Sequence, residues 1–172
     1  MARINFILSG GVVLKIRSVC FPDIPAWILL SKEYDNYVLE IVPDLIEWYE
    51  GSNTLISFDK YMQTKINQKE AYMAINENDN CCGIIALSKT NNRITFFGVS
   101  HKYDFYLIGE LLLAYALSQL NVNSNITINI IKSNAEQIQK EYTLLNKFNF
   151  IYLFDDIENG VPVKVMELNP KH

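Results

Sequence analysis

The sequence predicts a single α/β domain in which helices flank a mixed, mostly antiparallel sheet of about seven strands. Its 172 residues, 49% of them apolar and 20% charged, suffice for one domain with its own core. The hydrophobic period is helical over most of the first 70 residues and strand-like from residue 71 to residue 100. Beyond residue 100, helical and strand-like segments alternate, as they do where a helix crosses over between parallel strands.

The amino-terminal part is predicted to be one strand followed mostly by helix. Residues 13–19 alternate between apolar and polar side chains and predict the strand. Asp23 and Pro25 mark the start of a first helix, since Pro is favoured just inside a helix start. A short helical segment at residues 45–50 and a third helix over residues 58–66 follow.

The middle of the chain is predicted to be a meander followed by a crossover. Three alternating segments between residues 71 and 100 are separated by the turn-rich stretches ENDN and KTNN, which predicts an antiparallel meander. Apolar residues at helical spacing predict a long amphipathic helix over residues 105–120. The strand predicted at residues 125–131 follows closely, so the strands on either side of this helix are predicted to be parallel.

The carboxy-terminal part is predicted to be one more helix and a closing hairpin. Ser133 and Glu136 have the spacing of a capping box, which predicts that a helix begins at Ser133. Two strands, residues 150–154 and 161–168, are joined across Asn159-Gly160, a dipeptide typical of tight turns.

The composition excludes several classes of function. The chain has 15 Lys and Arg and 19 Asp and Glu, so its net charge is −4. It also has no run of basic residues, and both features argue against a dedicated nucleic-acid binder. Cys20, Cys81 and Cys82 fit the spacing of neither a zinc site nor a redox CxxC, so we expect no metal and a cytoplasmic protein. The apolar segment 4–14 is shorter than the ~20 residues of a membrane span, so no membrane partner is expected.

This order of elements resembles the GNAT superfamily of N-acetyltransferases over about residues 14–168, which leaves residues 1–13 as an amino-terminal extension. The family's cofactor motif, Val-x-Pro-Glu-Tyr-Arg-Gly-Lys-Gly-Ile-Gly, falls on residues 99–109. The positions that match it are Val99, Tyr103, Ile108 and Gly109. Further similarity lies at Asn134 and in residues 147–150, which are similar to the family's Lys-Leu-Gly-Phe.

The resemblance implies transfer of an acetyl group from acetyl-CoA to a primary amine, on a small molecule or a protein, by direct attack in a ternary complex. It implies a sheet splayed between the strands at 94–99 and 125–131, where the acyl-CoA arm enters. A monomer or a homodimer is expected. The cofactor-binding residues that it implies are Phe97, Gly98, Val99, Tyr106, Leu107, Ile108, Gly109, Glu110 and Asn134.

The motif departs from the family pattern at the start of the helix. Backbone N–H groups at a helix amino terminus bind phosphate, and glycines let the backbone approach it. Here Asp104 replaces an Arg or Gln, and Phe105 and Leu107 replace two glycines. Asp is also a good N-cap, so this segment is either a degenerate CoA loop, its charge offset by His101 and Lys102, or a structural helix cap.

Gly98 and Asn134 each have two interpretations. A glycine inside a strand marks a bulge or a close backbone approach, and the resemblance implies a bulge whose N–H groups hold the pantetheine arm and stabilise the oxyanion. The alternative is a glycine that merely precedes a turn. Asn134 is either a pantetheine ligand or the first helical residue after a Ser133 cap.

The proton-transfer residues are less clear from the sequence. An amine nucleophile, with a pKa of about 10.4, must lose a proton, and the leaving thiolate must gain one. The resemblance implies a tyrosine acid at the position of Leu145, where it is missing, and Tyr142 one helical turn earlier is the candidate. A packing role for Tyr142 is the alternative, and no general base is identified.

Acidic and aromatic residues in the helical amino-terminal part suit a cationic amine, through charge attraction and cation–π contacts. The predicted acceptor-binding residues are Trp27, Tyr34, Glu47 and Trp48. The alternative is that these aromatic residues form core. The departures from the motif also leave a second function open, in which the same fold is a non-catalytic acyl-CoA or effector-binding module or an interaction domain.

Overall fold

The structure, a computed structural model, describes residues 4–7, 13–43 and 54–170. The strands are β1 (Ile4–Ile7), β2 (Val13–Ser18), β3 (Ala71–Ile75), β4 (Cys81–Ser88), β5 (Arg93–Val99), β6 (Ile126–Ile131), β7 (Ile151–Glu158) and β8 (Val161–Leu168). The helices are α1 (Ile24–Ile41), α2 (Thr54–Asn67), α3 (Phe105–Gln119) and α4 (Glu136–Lys147). The predicted helical segment at residues 45–50, with Glu47 and Trp48, lies outside the described residues.

All these strands form one sheet in the order β1-β2-β3-β4-β5-β6-β8-β7. Neighbours pair antiparallel except β5 and β6, which are parallel and are connected through α3. The predicted mixed, mostly antiparallel sheet is therefore confirmed. It has one strand more than the sequence predicts, because residues 4–7, which fall in the predicted extension, pair with β2 at one edge.

The sheet is splayed between β5 and β6, as predicted. The two strands are paired only at Arg93 with Thr127 and at Ile94 with Ile128. The separation coincides with a bulge, because Ala86 of β4 pairs with Phe96 and Leu87 pairs with Ile94, which leaves Thr95 without a partner in the ladder. A bulge bends its strand and increases the local twist, which turns β5 away from β6.

Helices cover both faces of the sheet, and each face has its own hydrophobic core. On one face, Leu112 of α3 belongs to the larger core. On the other face, Trp27 of α1 and Met62 of α2 belong to the second core. Helix α4 contributes to both, since Ile138 belongs to the second core and Leu144 to the first. Helix α4 therefore spans the opening between β5 and β6.

The start of α4 differs from the prediction. The Ser133 Oγ accepts a hydrogen bond from the backbone N of Ala135 at 3.0 Å, a local turn rather than a helix cap. The helix begins at Glu136, which forms an ion pair with Lys140 at 2.6 Å instead of reaching back to Ser133. The predicted capping box is thus wrong, and Asn134 is not a helical residue.

Two further features concern the described part of the chain. None of its helices combines the length and the apolar character that a bilayer span requires. The three cysteines are free thiols, and burial raises the pKa of Cys81 to about 12. Burial also raises the pKa of the Cys82 thiol. Both therefore remain protonated at neutral pH.

Candidate active site

A pocket of about 500 Å³ lies between the amino termini of α3 and α4, at the end of β5 where the sheet is splayed. Its walls come from α1, from the β5–α3 loop and from the first turns of both helices. The lining residues are Tyr37, His101, Tyr103, Asp104, Phe105, Tyr106, Glu136, Gln137 and Lys140. The described residues hold no group of three or more His, Cys, Asp or Glu side chains placed to bind a metal ion.

Asp104 is the N-cap of α3. Its Oδ1 accepts a hydrogen bond from the backbone N of Leu107 at 2.9 Å. Phe105 and Tyr106 also lie in the first turn and line the pocket, and their backbone N–H groups find no acceptor among the described residues. The helix end therefore keeps two donors for an anion, beside a carboxylate that repels one.

Glu33 of α1 ties the β5–α3 loop to the helical layer. Its Oε2 lies 2.9 Å from the Nδ1 of His101 and accepts a hydrogen bond from the backbone N of that residue at 3.0 Å. Its Oε1 accepts a hydrogen bond from the Ser100 Oγ at 3.2 Å. These three contacts fix the loop that leads from the splay into α3.

The backbone of Val99 faces the splay and is held by two side chains. The hydroxyl of Tyr34 accepts a hydrogen bond from the Val99 N at 3.2 Å, and the Nε2 of Gln137 donates one to the Val99 O at 3.2 Å. Because alternate residues of a strand direct their backbone groups to the same side, Phe97 also faces the splay. Burial raises the pKa of Tyr34, so its hydroxyl is neutral.

Gly98 permits a close approach rather than forming the bulge. It pairs in register with Ile84, and the bulge of β5 lies at Thr95 instead. A Cβ at Gly98 would lie 3.1 Å from the Cε2 of Tyr34. The absence of a side chain therefore lets the Tyr34 ring rest against β5, which places its hydroxyl at Val99.

Glu141 is a buried carboxyl group that the sequence analysis missed. It is 5% exposed, and it forms no hydrogen bond or ion pair with the described residues. Burial raises its pKa to about 8, and its charge in turn contributes to the raised pKa of Tyr34. It lies one helical turn after Gln137 and three residues after the buried Ile138. A glutamate within the apolar stripe of a predicted helix is the signal that identifies it in the sequence.

Two predicted site residues lie in packed positions outside the pocket. The Lys164 Nζ lies 4.6 Å from the centre of the Tyr142 ring, on the side of α4 that faces β8. Trp27 is fully buried and makes edge contacts with Tyr61 and Phe96. Both positions agree with the packing alternative, and neither side chain is placed to touch a ligand in the pocket.

The predicted cofactor residues separate into three groups. Tyr106 lines the pocket, and Phe97 and Val99 face the splay. Ile108 and Gly109 are buried, Gly109 against α4, where a Cβ would lie 2.7 Å from the Leu144 Cδ2. The remaining four, Gly98, Leu107, Glu110 and Asn134, lie outside the pocket lining, and Glu110 pairs with Lys147 at 2.5 Å.

The sequence matches no protein-family model and no curated protein. The structure is similar to solved acetyltransferases. A GNAT-family acetyltransferase from Bacillus cereus has a TM-score of 0.60 at 15% identity, over 92% of this chain and 99% of that one. An N-acetyltransferase from Staphylococcus aureus has a TM-score of 0.61 at 16% identity, over the same shares.

A third similar structure is Arabidopsis thaliana Naa50 in complex with the bisubstrate analogue CoA-Ac-MVNAL. It has a TM-score of 0.59 at 20% identity, over 91% of this chain and 98% of that one. At this identity the likeness establishes the fold. The resemblance to the GNAT superfamily is therefore confirmed at the level of the fold.

Proposed function

We propose that the protein transfers an acetyl group from acetyl-CoA to a primary amine. The observation that carries the proposal is the splay between β5 and β6, which opens beside the pocket at the amino termini of α3 and α4. Structures of the same fold include acetyltransferases with acetyl-CoA or coenzyme A bound, which supports acetyl-CoA as the co-substrate.

The residues of the pocket suit the parts of acetyl-CoA. The backbone N–H groups of Phe105 and Tyr106 suit phosphate groups, and so does the ammonium of Lys140, which is paired with Glu136 in this structure. The carboxylates of Asp104 and Glu136 weaken that site. Phe97 turns its backbone N–H and C=O toward the splay, where an amide-containing arm needs partners. When bound, acetyl-CoA supplies an acetyl group activated as a thioester.

Glu141 is the proton donor in this proposal. Because its pKa is raised to about 8, the carboxyl keeps its proton at neutral pH. An acid whose pKa lies near the working pH transfers a proton efficiently to a leaving group such as a thiolate. Its charge acts on Tyr34, whose hydroxyl accepts a hydrogen bond from the Val99 N at the splay, and this link supports the assignment.

The α1 side of the pocket is the proposed acceptor site. Tyr37 lines the pocket, and burial together with the carboxylates of Glu33 and Glu40 raises its pKa. A neutral phenol ring beside carboxylates attracts a cationic amine. Of the residues proposed from the sequence, Tyr34 stays near this site, and Glu47 and Trp48 stay predictions because they lie outside the described residues.

The second candidate function is a binding module without catalysis. It is favoured by the two hydrogen bonds of the Val99 backbone, whose N–H donates to the Tyr34 hydroxyl and whose C=O accepts from Gln137, because the chain itself satisfies backbone groups that a ligand would use. Calorimetry with acetyl-CoA and an assay of thiol release over a panel of amines separate the two functions. We expect binding tighter than millimolar together with thiol release. Binding without release identifies the module, and weaker binding contradicts both.

The substitution Glu141→Gln tests the proton donor. It keeps the shape of the side chain and removes the acid, so kcat should fall by about 10²- to 10⁴-fold while acetyl-CoA binding is unchanged. The wild-type decline in kcat above about pH 8 should disappear with it. Glu77→Gln, the same change at an exposed turn residue, is the matched control. An unchanged kcat in Glu141→Gln would exclude Glu141 as the donor.

A further inference from the structure

Strand β7 lies at the edge of the sheet and is exposed along its whole length. The large apolar side chains that it exposes are Ile151 (48%), Tyr152 (45%), Leu153 (38%), Phe154 (51%) and Ile157 (70%). Proteins usually protect an edge strand with charges, proline or a covering element, because an exposed edge is a template for another strand. β7 carries carboxylates and a bulge at Leu153, but five large apolar side chains remain exposed along it, which indicates an interaction surface.

The exposed side chains lie on both faces of the strand. The register with β8 places Tyr152 and Ile157 on the face of Met166, and Ile151 and Phe154 on the opposite face. A helix or a flat ligand on one face would leave the other face uncovered. A strand added at the edge covers both, because its side chains alternate between the two faces.

The backbone of β7 can accept such a strand. β8 is its neighbour on one side, and no described strand lies on the other. On that outer side, alternate residues direct their N–H and C=O groups away from β8. The edge thus offers main-chain hydrogen bonds together with apolar side chains.

The charges of β7 permit an identical strand as the partner. The Asp155 Oδ2 lies 2.5 Å from the Lys132 Nζ, and the Glu158 Oε1 lies 3.1 Å from an Arg93 Nη. Two of the three carboxylates of β7 are paired with cations within the chain, so an identical strand brings one unpaired carboxylate, Asp156, for each copy. A basic partner, for the same reason, gains little from these carboxylates.

The size of the apolar surface also suits a dimer. The five side chains together expose on the order of 500 Å², divided between the two faces of the strand. A standard interface buries about 800 Å² on each partner. A strand added at the edge buries part of this area on each face, and the outer backbone and flanking polar groups supply the rest of the interface.

We propose that β7 pairs with β7 of a second copy of this chain, antiparallel across a two-fold axis, so that the two eight-stranded sheets become continuous. With a two-fold axis, each copy contributes the same strand to the interface, which is the commonest arrangement of homodimers. The pocket lies at the other side of the splay, so this proposal is independent of the proposed function.

Light scattering coupled to size exclusion, from micromolar to high micromolar protein, tests the dimer. We expect a dimer for the wild type and a monomer for the double variant Phe154→Lys and Ile157→Lys, which places one charge on each face of β7. Leu29→Lys is the matched control, because Leu29 is a 68% exposed apolar residue on α1, and it should remain dimeric. Circular dichroism should show all three folded.

Amide hydrogen exchange of the wild type gives a second test that needs no variant. Backbone amides of residues 151–158 should be protected at high protein concentration and lose protection on dilution, whereas amides of β4 should not respond. The proposal would be overturned by a wild type that is monomeric at all concentrations or by a double variant that stays dimeric. It would also be overturned if hydrogen exchange of β7 did not depend on protein concentration.

Discussion

Asp104 stabilises the start of helix α3 and also sets the charge of the proposed anion site. Its carboxylate caps α3 by accepting from the backbone N of Leu107. The same carboxylate places a negative charge where the helix dipole and the N–H groups of Phe105 and Tyr106 favour an anion. The two effects are separable, because a neutral side chain can make the same cap.

We predict that Asp104→Asn strengthens acetyl-CoA binding about 2- to 5-fold and lowers stability by no more than ~1 kcal/mol. Asn is as good an N-cap as Asp, so only the charge is removed, and a charge at a helix end is worth up to ~1 kcal/mol. Calorimetry at low and high salt is the measurement, and the gain should shrink with salt. Asp59→Asn, an exposed position on α2, should leave affinity unchanged, and equal gains in both variants would contradict the prediction.

Neighbouring positions on α4 show how far a residue can be assigned from sequence. Tyr142 is predicted as the acid from its residue type and the family pattern, yet it packs beneath Lys164. Glu141 lies on the buried side because it shares a helical face with Ile138 and Leu145. The helical spacing of these residues, and so the burial of Glu141, could be read from the sequence. The absence of a counter-charge beside Glu141 depends on the tertiary structure.

At the scale of elements, a buried ion pair joins α2 to the meander. The Lys65 Nζ lies 2.9 Å from the Glu70 Oε2 and also donates to the Leu87 carbonyl oxygen, and both side chains are buried. The Glu70 Oε1 accepts from the backbone N of Lys89 at 2.7 Å. Burial opposes ionisation of Glu70, but these hydrogen bonds outweigh it and lower its pKa.

We predict that Lys65→Met destabilises the protein by about 3–5 kcal/mol, because it leaves the Glu70 carboxylate buried without its cation. Lys60→Met, an exposed position on the same helix, should change the free energy of unfolding by less than ~0.5 kcal/mol. Urea denaturation measures both. Adding Glu70→Leu to Lys65→Met should restore much of the loss, and a double variant as unstable as the single one would argue against the ion pair as the cause.

Most elements were predictable because their hydrophobic period is strong. The meander, α3 and the closing hairpin fall where the sequence predicts them. β1 was missed because four residues carry little periodic signal and its strand conformation depends on pairing with β2. The start of α4 was predicted three residues too early, at Ser133. Serine is a common N-cap, but here the Ser133 hydroxyl accepts a hydrogen bond from the backbone N of Ala135.

At the scale of the whole molecule, the splay brings distant parts of the chain together. Tyr34 and Val99 are 65 residues apart, and the hydrogen bond between them holds α1 against β5. Gln137 completes the arrangement from α4. The order of elements predicts that a splay exists, but local sequence patterns carry no information on which side chains meet across it. The fold was therefore more predictable than the site.

Glu141, at this junction, also determines how the stability of the whole molecule depends on pH. Its pKa is about 8 in the folded protein and near 4.5 when exposed. Between these values the native state keeps a proton that the unfolded chain releases, so stability falls as pH rises. The pH dependence that Asp23 contributes to stability has the opposite sign. Hydrogen bonds from Arg17 and Cys20 outweigh the effect of burial and lower the pKa of Asp23 to about 2. Its contribution is lost as pH falls below about 4.

We predict that the free energy of unfolding of the wild type decreases between about pH 5 and pH 8, by up to roughly 1.4 kcal/mol for each pH unit from Glu141 alone. Glu141→Gln should remove this slope and be more stable than the wild type at pH 8, since a neutral amide has no proton to lose. Glu77→Gln should retain the wild-type slope, because Glu77 is exposed. Urea denaturation across this range measures all three proteins, and parallel curves for the wild type and Glu141→Gln would mean that Glu141 is already ionised in the native state.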